Sequence, residues 1–412
     1  MSTLFKNLRL IQNSKIQAPK DYLFHNENLT EVPSNWNGEY DSEVDATNLF
    51  LTEGWLDLRC GSGDPGLEYK ETLESLSKAL QLSGFSGGVL LPNTQPVIQS
   101  KNDVDYIHRK AQSFLPEIHI QAAVTRDTRG EDLTEILDIH YQSGVSIFGD
   151  GTETLANSDR LMKILQYLQR FNGVLFDHSY DPLLALFGKM HEGEISTHLG
   201  MKGIPNLAED LAVHRNLEIL RYTGGRMHFQ TISTAKSVQL IREAKAEGLQ
   251  VSCDISVYQL IFSDQDLKSF DANYKVLPPF RGAKDREALI QGIQDGTIDA
   301  IVSNHQPQDY DSKFMEFDLA SFGMAGLITF LPALVHLEKE LSWPLLIEKI
   351  TRGPRRVILD EKDPGWTIFD PQEEWVYDRS VNLSKASNNP WFGEKLQGRV
   401  KYVVQKGQLV RL

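Results

Sequence analysis

Short apolar runs alternate with longer amphipathic stretches through the middle of the chain. Eight such runs are present, at residues 51–59, 87–93, 118–125, 144–150, 173–179, 227–233, 249–256 and 299–305. They are rich in β-branched and aromatic residues and are nearly continuous in apolar character. That pattern is typical of parallel strands that are buried on both faces.

Amphipathic stretches separate most of these runs. In residues 284–296, for example, Ala288, Leu289 and Ile293 form an apolar stripe at helical spacing. Several stretches end at glycine before the next run, which is a signal for the end of a helix. Eight strands, each followed by a helix, predict an α/β protein with a (β/α)₈ TIM barrel.

Both ends of the chain follow a different pattern. Residues 1–50 are rich in turn-forming Pro, Asn and Gly, and residues 356–412 contain short alternating segments. The segment KYVVQKGQLV predicts a hairpin that turns at Lys406 and Gly407. We therefore predict a barrel of residues 51–355 and a small β-sandwich domain formed jointly by 1–50 and 356–412.

Composition excludes some functions. The 412-residue chain has a formal net charge of −14, which argues against a protein that binds nucleic acid through a basic surface. Its two cysteines, Cys60 and Cys253, are too few for a disulfide framework. The N-terminal residues do not resemble a signal peptide, and no apolar run reaches membrane-spanning length. We expect a cytoplasmic protein that does not bind membranes.

Candidate functional residues follow the predicted strands, because the active site of a TIM barrel lies at the carboxyl ends of its strands. These residues are Arg59, Asn93, Arg126, Asp150, His178, Thr231 to Ser233, Asp254, Asn304 and His305. A catalytic zinc ion needs about three protein ligands. A two-metal site needs more. The plausible donors are His178, Asp150, Asp254 and His305, with Cys60 one residue past Arg59, so the set is short of ligands for such a site.

Five segments contain recognisable signatures. They are EGWLDLRCGSGDPG (53–66), LLPNTQPV (90–97), FQTISTAKSV (229–238), KVLPPFRGAKDREALIQGIQDGTIDAIVSNHQPQ (275–308) and FGMAGLITFLP (322–332). Together they resemble the class I dihydroorotases of the dihydroorotase/allantoinase family, in the amidohydrolase superfamily. The resemblance spans about residues 50–335 and implies a TIM barrel with a binuclear metal site.

The chain departs from the family at the metal ligands. The positions that match ligands are Arg59, Gly61, Asp150 or Gly151, His178, Thr231 and Asn304. Arginine cannot coordinate a metal, and Asn304 lacks the carboxylate of the family's general base. The family arginine that holds the substrate carboxylate matches Gly63, whereas Asn93 and His305 of the substrate pocket are retained.

Two interpretations of Arg59 follow. In the first, its guanidinium occupies the volume of the lost metal ions and pairs with Asp150. In the second, it points to solvent or binds another carboxylate. Asn93 is expected to cap the turn after the second strand.

Three functions remain open. The leading hypothesis is a non-catalytic dihydroorotase homologue without a cofactor, which acts as a structural or regulatory partner in pyrimidine biosynthesis. The resemblance implies association with aspartate carbamoyltransferase and a homo-oligomeric state, most simply a dimer. The first alternative is an active cyclic amidohydrolase, converting dihydroorotate to N-carbamoyl-aspartate either with zinc on Asp150, His178, Asp254 and His305 or without a metal. The second alternative is a sensor that binds a small carboxylated or ureido compound.

Overall fold

The computed structural model describes residues 2–34 and 36–412 of the chain. Six strands precede the barrel: β1 (Thr3–Gln12), β2 (Lys15–Ile16), β3 (Lys20–His25), β4 (Asn28–Val32), β5 (Ser42–Asp45) and β6 (Phe50–Glu53). β1 lies at the centre of this group and pairs with β2, β3, β5 and β6.

Eight parallel strands follow and confirm the predicted TIM barrel. They are β7 (Trp55–Cys60), β8 (Phe85–Leu90), β9 (Glu117–Ala122), β10 (Ile147–Phe148) and β11 (Val174–Asp177), and then, after a short ribbon of β12 (Met190–His191) and β13 (Gly203–Ile204), β14 (Arg226–Phe229), β15 (Val251–Ser256) and β16 (Ala300–Val302). The barrel strands pair in chain order, and a parallel bridge between Cys60 and His305 joins the last strand to the first. Each strand overlaps its predicted run.

Helices cover the outside of the barrel. They are α1 (Leu73–Leu82), α2 (Lys101–Ala111), α3 (Ile136–Ser143), α4 (Ser158–Leu168), α5 (Glu194–His198), α6 (Asn206–Thr223), α7 (Ala235–Ala246), α8 (Ala283–Gln294), α9 (Tyr310–Lys313), α10 (Phe330–Leu337), α11 (Trp343–Ile350) and α12 (Arg352–Ile358). None of the helices in the described residues is long and apolar enough to cross a membrane.

The C-terminal segment completes the terminal sheet with β17 (Trp366–Val376), β18 (Lys395–Gln405) and β19 (Gln408–Arg411). β17 pairs with β6, so both termini build one nine-stranded sheet. The predicted hairpin is confirmed: Gln405 pairs with Gln408, and Lys406 and Gly407 turn with φ of 47° and 73°.

The two predicted domain limits, between residues 50 and 51 and between residues 355 and 356, stay a prediction. The observed strands and helices show what lies at each limit. The predicted first strand, 51–59, is two strands, because the chain passes from the terminal sheet into the barrel at Gly54. A Cβ atom at Gly54 would lie 2.2 Å from the carbonyl oxygen of Pro364, so only glycine fits there. Residue 356 falls within α12, whose Val357 and Ile358 pack in one cluster with side chains from the barrel interior, such as Leu58.

Trp55 anchors the barrel to the terminal sheet. Its buried ring packs against Phe85, Phe330 and Phe369 at centroid distances of 5.8, 6.4 and 5.6 Å. Its indole N–H donates to Thr52 Oγ1 at 2.9 Å. Because the indole fills the space between the barrel and the terminal sheet, its loss would leave a cavity between them.

We predict that Trp55→Ala lowers the free energy of unfolding by about 3–5 kcal/mol, the usual cost of emptying an aromatic site in a core. Urea denaturation followed by circular dichroism measures this change. Tyr141→Ala is the control, because Tyr141 is 69% exposed, and it should shift the free energy by less than about 0.5 kcal/mol. Equal effects of the two substitutions would contradict this role of Trp55.

Candidate functional site

Arg59 crosses the barrel mouth. It is the penultimate residue of β7 and is fully buried. Its Nε donates to Asn304 Oδ1 at 2.9 Å, beyond β16, and its Nη1 donates to the carbonyl oxygen of Gly151 at 3.2 Å, beyond β10. One side chain thus connects three strand ends, two of which are separated by β8 and β9 in the barrel.

The predicted ion pair between Arg59 and Asp150 does not form. Arg59 has no salt bridge with any described carboxylate, and its Nη2 has no hydrogen-bond partner in the described residues. Burial lowers the pKa of Arg59 to about 10, although Asp254 and Asp57 act in the opposite direction. The guanidinium therefore remains charged at neutral pH.

Asp150 instead binds the backbone of the neighbouring strand end. Its Oδ1 accepts from the N–H groups of Val124 and Thr125, both at 3.0 Å, and its Oδ2 accepts from the Thr125 hydroxyl. Burial raises the pKa of Asp150 to about 6. Both carboxylate oxygens are thus occupied, which explains why the carboxylate does not pair with Arg59.

Two of the positions that match family ligands, Gly61 and His178, line the mouth cavity, and of these His178 retains an imidazole. Its Nδ1 lies 3.1 Å from the carbonyl oxygen of Thr152, so Nδ1 carries the hydrogen and Nε2 the lone pair. Burial, followed by the Arg59 charge, lowers the pKa of His178 to about 3. The imidazole is therefore neutral.

Asn93 connects two loops of the mouth and does not cap its own turn, contrary to expectation. Its Nδ2 donates to the carbonyl oxygen of Asp150 at 3.1 Å, and its Oδ1 accepts from the Thr152 N–H at 2.9 Å. Asn93 borders the cavity, but both ends of its amide are already engaged with the chain.

His305 lies outside the cavity lining and closes the barrel. Its carbonyl oxygen accepts from the Gly61 N–H at 2.7 Å, and its imidazole Nε2 is 3.5 Å from a carboxylate oxygen of buried Glu71. Both carboxylate oxygens of Asp254 are also occupied: one accepts from His228 Nε2 at 2.8 Å and the other from the Thr231 N–H at 2.6 Å. The four donors of the one-metal hypothesis therefore do not converge.

The glycines at vestigial positions sit where the backbone comes close to its neighbours. A Cβ at Gly63 would lie 1.9 Å from the carbonyl oxygen of Leu67, and one at Gly151 would lie 1.9 Å from Asn93 Oδ1. Gly61 is less crowded, with 3.2 Å to the carbonyl oxygen of His305. The backbone at Gly63 and Gly151 therefore has no room for the arginine and the aspartate that the sequence resemblance implies at these positions.

A cavity of about 310 Å³ opens at the mouth. Its polar lining includes residues that the sequence did not single out, because they lie on loops: Lys70, Glu153, Tyr180 and Gln306. Gln308, which matches a histidine of the family's D-H-A-P-H segment, lines it as well. His228 was also missed, because its place inside the barrel follows only from the pairing of β14 with β15.

A segment of the C-terminal part, residues 384–389, supports two walls of this cavity, and we call it the strap. Asn388 Oδ1 accepts from the Gln308 N–H at 3.1 Å, and Asn388 Nδ2 donates to the carbonyl oxygen of Gln306 at 3.2 Å. On the opposite wall the Ser384 hydroxyl bonds Glu71, one residue beyond Lys70. The strap therefore fixes both walls relative to the terminal sheet.

Comparison with known proteins first defines the class. The structure superposes on L-hydantoinase (dihydropyrimidinase) from Arthrobacter aurescens with a TM-score of 0.85 at 20% identity, covering 99% of this chain and 96% of that one. Dihydropyrimidinase from Brevibacillus agri gives a TM-score of 0.82 at 18% identity, covering 100% and 95%. The fold is thus the barrel with a terminal β domain that these amidohydrolases share.

Sequence comparison then gives the family. A family model described as dihydro-orotase-like matches residues 49–237. A dihydroorotase of Geobacter sp. (strain M21) is 35% identical over 100% of this chain and 99% of its own length, and one of Acetivibrio thermocellus is 34% identical over 97% and 98%. The chain belongs to the dihydroorotase family, as the sequence signatures predicted.

Zinc, which the family implies, does not fit the residues of this mouth. Arg59 brings a buried positive charge to the strand ends, and the carboxylate oxygens of Asp150 are occupied by N–H and O–H donors. His178 is the one imidazole among the described residues that line the mouth cavity, and no three His, Cys, Asp or Glu side chains among the described residues converge as a ligand set. No catalytic step through a metal can be derived from this donor set.

We predict that Asp150→Asn weakens the pH dependence of stability. The pKa of Asp150 is raised from 3.8 to about 6 in the folded protein, so its contribution to stability is fully present below about pH 4 and is lost as the pH rises through 6. Asparagine does not titrate, and it can accept both N–H groups through its oxygen while its amide donates to Thr125 Oγ1. The fall in the free energy of unfolding between about pH 4 and pH 7 should shrink by about 3 kcal/mol.

Urea denaturation across that pH range measures the change. Asp311→Asn is the matched control, because Asp311 is exposed and should leave the pH dependence as it is. Superimposable profiles for Asp150→Asn and the unaltered chain would show that Asp150 is ionised in the folded state at all these pH values.

Proposed function

We propose that this chain is a non-catalytic member of the dihydroorotase family that acts as a structural or regulatory partner of aspartate carbamoyltransferase in pyrimidine biosynthesis. The observation that carries the first part is the position of Arg59, a fixed cation that is hydrogen-bonded to Asn304 and Gly151 at the strand ends. Membership of the dihydroorotase family supports the assignment to pyrimidine biosynthesis.

The chemistry of the mouth supports the absence of hydrolysis. Opening a cyclic amide requires a nucleophilic water and a polarised carbonyl group, which a metal and a general base supply together. Asn304, at the position of the family's general base, offers an amide oxygen that accepts from Arg59 and Gln306. His178 is neutral but has no carboxylate to orient it, since its Nδ1 bonds a backbone carbonyl.

Exposed apolar side chains on the loops of the mouth support a partner role. Such side chains extend from the loops after β11, β15 and β16, and they are Leu183, Leu186, Phe187, Phe270, Tyr310, Phe314, Met315 and Leu319. Phe187 is 71% exposed and Phe314 is 74% exposed. Concentrations of this kind on a soluble protein mark interaction surfaces.

The charge around these side chains specifies the partner further. Asp311, Glu316 and Asp318 lie beside Phe314 and are exposed, and none of them forms an ion pair with a described residue. Lys275 and Lys313, which contact this segment, are buried and donate to backbone carbonyls, whereas exposed Lys202 lies over the Phe187 ring with its Nζ 5.4 Å from the ring centroid. We therefore expect the docking face of the carbamoyltransferase to combine apolar side chains with Lys or Arg.

We predict that the purified chain does not hydrolyse dihydroorotate. Its rate should be at least about 10⁴-fold below that of the Geobacter relative assayed in parallel, because both the metal and the general base are missing. Elemental analysis should find less than about 0.1 zinc per chain, before and after zinc is added back. Turnover at a rate comparable to the relative, with stoichiometric zinc, would refute the proposal.

We predict that the chain co-elutes with the aspartate carbamoyltransferase of its own organism in size-exclusion chromatography. The double substitution Phe187→Ser and Phe314→Ser should abolish co-elution without altering thermal unfolding, because both side chains are exposed. Tyr222→Ser is the control, since Tyr222 is 82% exposed on α6, away from the mouth loops, and should not affect the complex. Separate elution of the unaltered chain and the enzyme would refute the partner role.

A further inference from the structure

Three hydrogen-bonded side chains lie in a row on two neighbouring barrel strands, towards the N-terminal end of the barrel. Ser252 and Asp254 are two residues apart on β15 and therefore point to the same face of the sheet. His228, on β14, pairs in register with Ser252. Its imidazole lies between the other two side chains, with Nδ1 2.8 Å from Ser252 Oγ and Nε2 2.8 Å from Asp254 Oδ2.

The direction of these two hydrogen bonds follows from Asp254. A carboxylate only accepts hydrogen bonds, so His228 Nε2 carries the hydrogen that it donates to Asp254. Nδ1 of His228 then holds the lone pair and accepts from the Ser252 hydroxyl. This is the arrangement that activates a nucleophilic serine, in which a histidine takes the hydroxyl proton and an aspartate fixes the histidine tautomer.

Ser252 borders a cavity of about 270 Å³ at the end of the barrel opposite the mouth. Ser252 is half-buried, whereas His228 and Asp254 are buried. The lining of this cavity includes the first residues of three barrel strands, Val174, Arg226 and Val251. Ser252 is therefore the member of the row through which a molecule in the cavity would contact it.

Arg226 supplies a positive charge to the same cavity. It lies two residues before His228 on β14, and its Nη1 and Nη2 donate to the carbonyl oxygens of Asn172 and Val357 at 3.0 and 2.7 Å. These bonds fix the guanidinium but leave its Nε without a hydrogen bond to any described residue. A fixed cation of this kind stabilises the oxyanion that forms when a hydroxyl adds to a carbonyl group.

We propose that Ser252 is an activated nucleophile that takes the acyl group of a small carboxylic ester. Ser252 Oγ forms a bond to the ester carbonyl carbon while its proton passes to His228 Nδ1. The bond between that carbon and the alcohol oxygen then breaks, and the departing alcohol takes the proton from His228. Water attacks the acyl-serine by the same route, which releases the carboxylic acid and restores the hydroxyl.

The cavity determines the class of ester. Its volume of about 270 Å³ lies just below the usual range of ligand pockets, so the acyl and alcohol groups must both be small. Met227, Leu249 and Val357 contribute apolar lining, which suits an uncharged alkyl or aryl group. Alcohols leave more readily than amines, and one cation stabilises an oxyanion less than several aligned donors would, so esters are favoured over amides.

This inference goes beyond the proposed function. The loss of catalysis proposed above concerns cyclic amides at the carboxyl ends of the strands, whereas Ser252 borders a cavity at the opposite end of the barrel. Acyl transfer to Ser252 can therefore succeed or fail whatever the dihydroorotate assay shows. Failure of this inference and failure of the proposed function are distinguishable.

Two measurements on the full chain test the nucleophile. Phenylmethylsulfonyl fluoride, which sulfonylates activated serine hydroxyls, should modify the chain, and peptide mass spectrometry should find the label on Ser252. The chain should also hydrolyse p-nitrophenyl acetate, and prior labelling should abolish that hydrolysis. Absence of label from Ser252, or hydrolysis that continues unchanged after labelling, would overturn the proposal.

Ser252→Ala should remove the label and lower the rate of p-nitrophenyl acetate hydrolysis at least about 100-fold. Ser146→Ala is the matched control. Ser146 is also half-buried and immediately precedes β10 at the same end of the barrel, but its hydroxyl is bonded to no described histidine. Equal rates for the two variants would show that the hydrolysis arises elsewhere and would rule out Ser252.

Asp254→Asn tests the positioning residue. An asparagine that keeps the bond from the Thr231 N–H turns its own N–H towards His228 Nε2, which moves the imidazole hydrogen to Nδ1. His228 can then no longer accept the Ser252 proton, so kcat should fall at least about 100-fold with KM unchanged. Thermal unfolding verifies that each variant folds. A folded Asp254→Asn chain that reacts as fast as the unaltered one would contradict the proposed proton transfer.

Discussion

The arrangement of the mouth depends on one constraint, the hydrogen bonding of a buried guanidinium. A charged group without water must find acceptors inside the protein, and Arg59 finds them at Asn304 and Gly151. These bonds join strand ends that a pair of metal ions would otherwise hold together. The cation can therefore take over the structural role of a metal centre, but it offers no open coordination position and no acidic water.

The residues around Arg59 are packed too closely to admit larger side chains. Gly63 and Gly151 leave no room for a side chain, since a Cβ at either would contact a backbone or amide oxygen at 1.9 Å. Asp150, beside Gly151, has both oxygens committed to the neighbouring strand. A side chain introduced at Gly63 or Gly151 by mutation would therefore clash with the neighbouring loop unless the backbone moved. The polar network around Arg59 occupies the strand ends at which the sequence resemblance places the family's metal ligands.

The sequence predicted the fold well and the site only in part, for physical reasons. Continuous apolar runs identify barrel strands because burial on both faces acts locally along the chain, and the turn at Lys406 and Gly407 is equally local. The partner of Arg59 was predicted incorrectly because hydrogen bonds across a barrel depend on which acceptors are already occupied. Lys70 and the strap could not be found from sequence, since their positions depend on contacts between distant segments.

The strap explains how a terminal domain can influence a mouth that it does not line. Asn388 holds the wall that carries Gln306 and Gln308, while Ser384 bonds Glu71 beside Lys70. Both cavity walls are therefore positioned by the connection between β17 and β18. These bonds therefore couple the position of the terminal sheet to the separation of the two cavity walls. The regulatory role proposed above requires such a coupling between the mouth cavity and the terminal sheet.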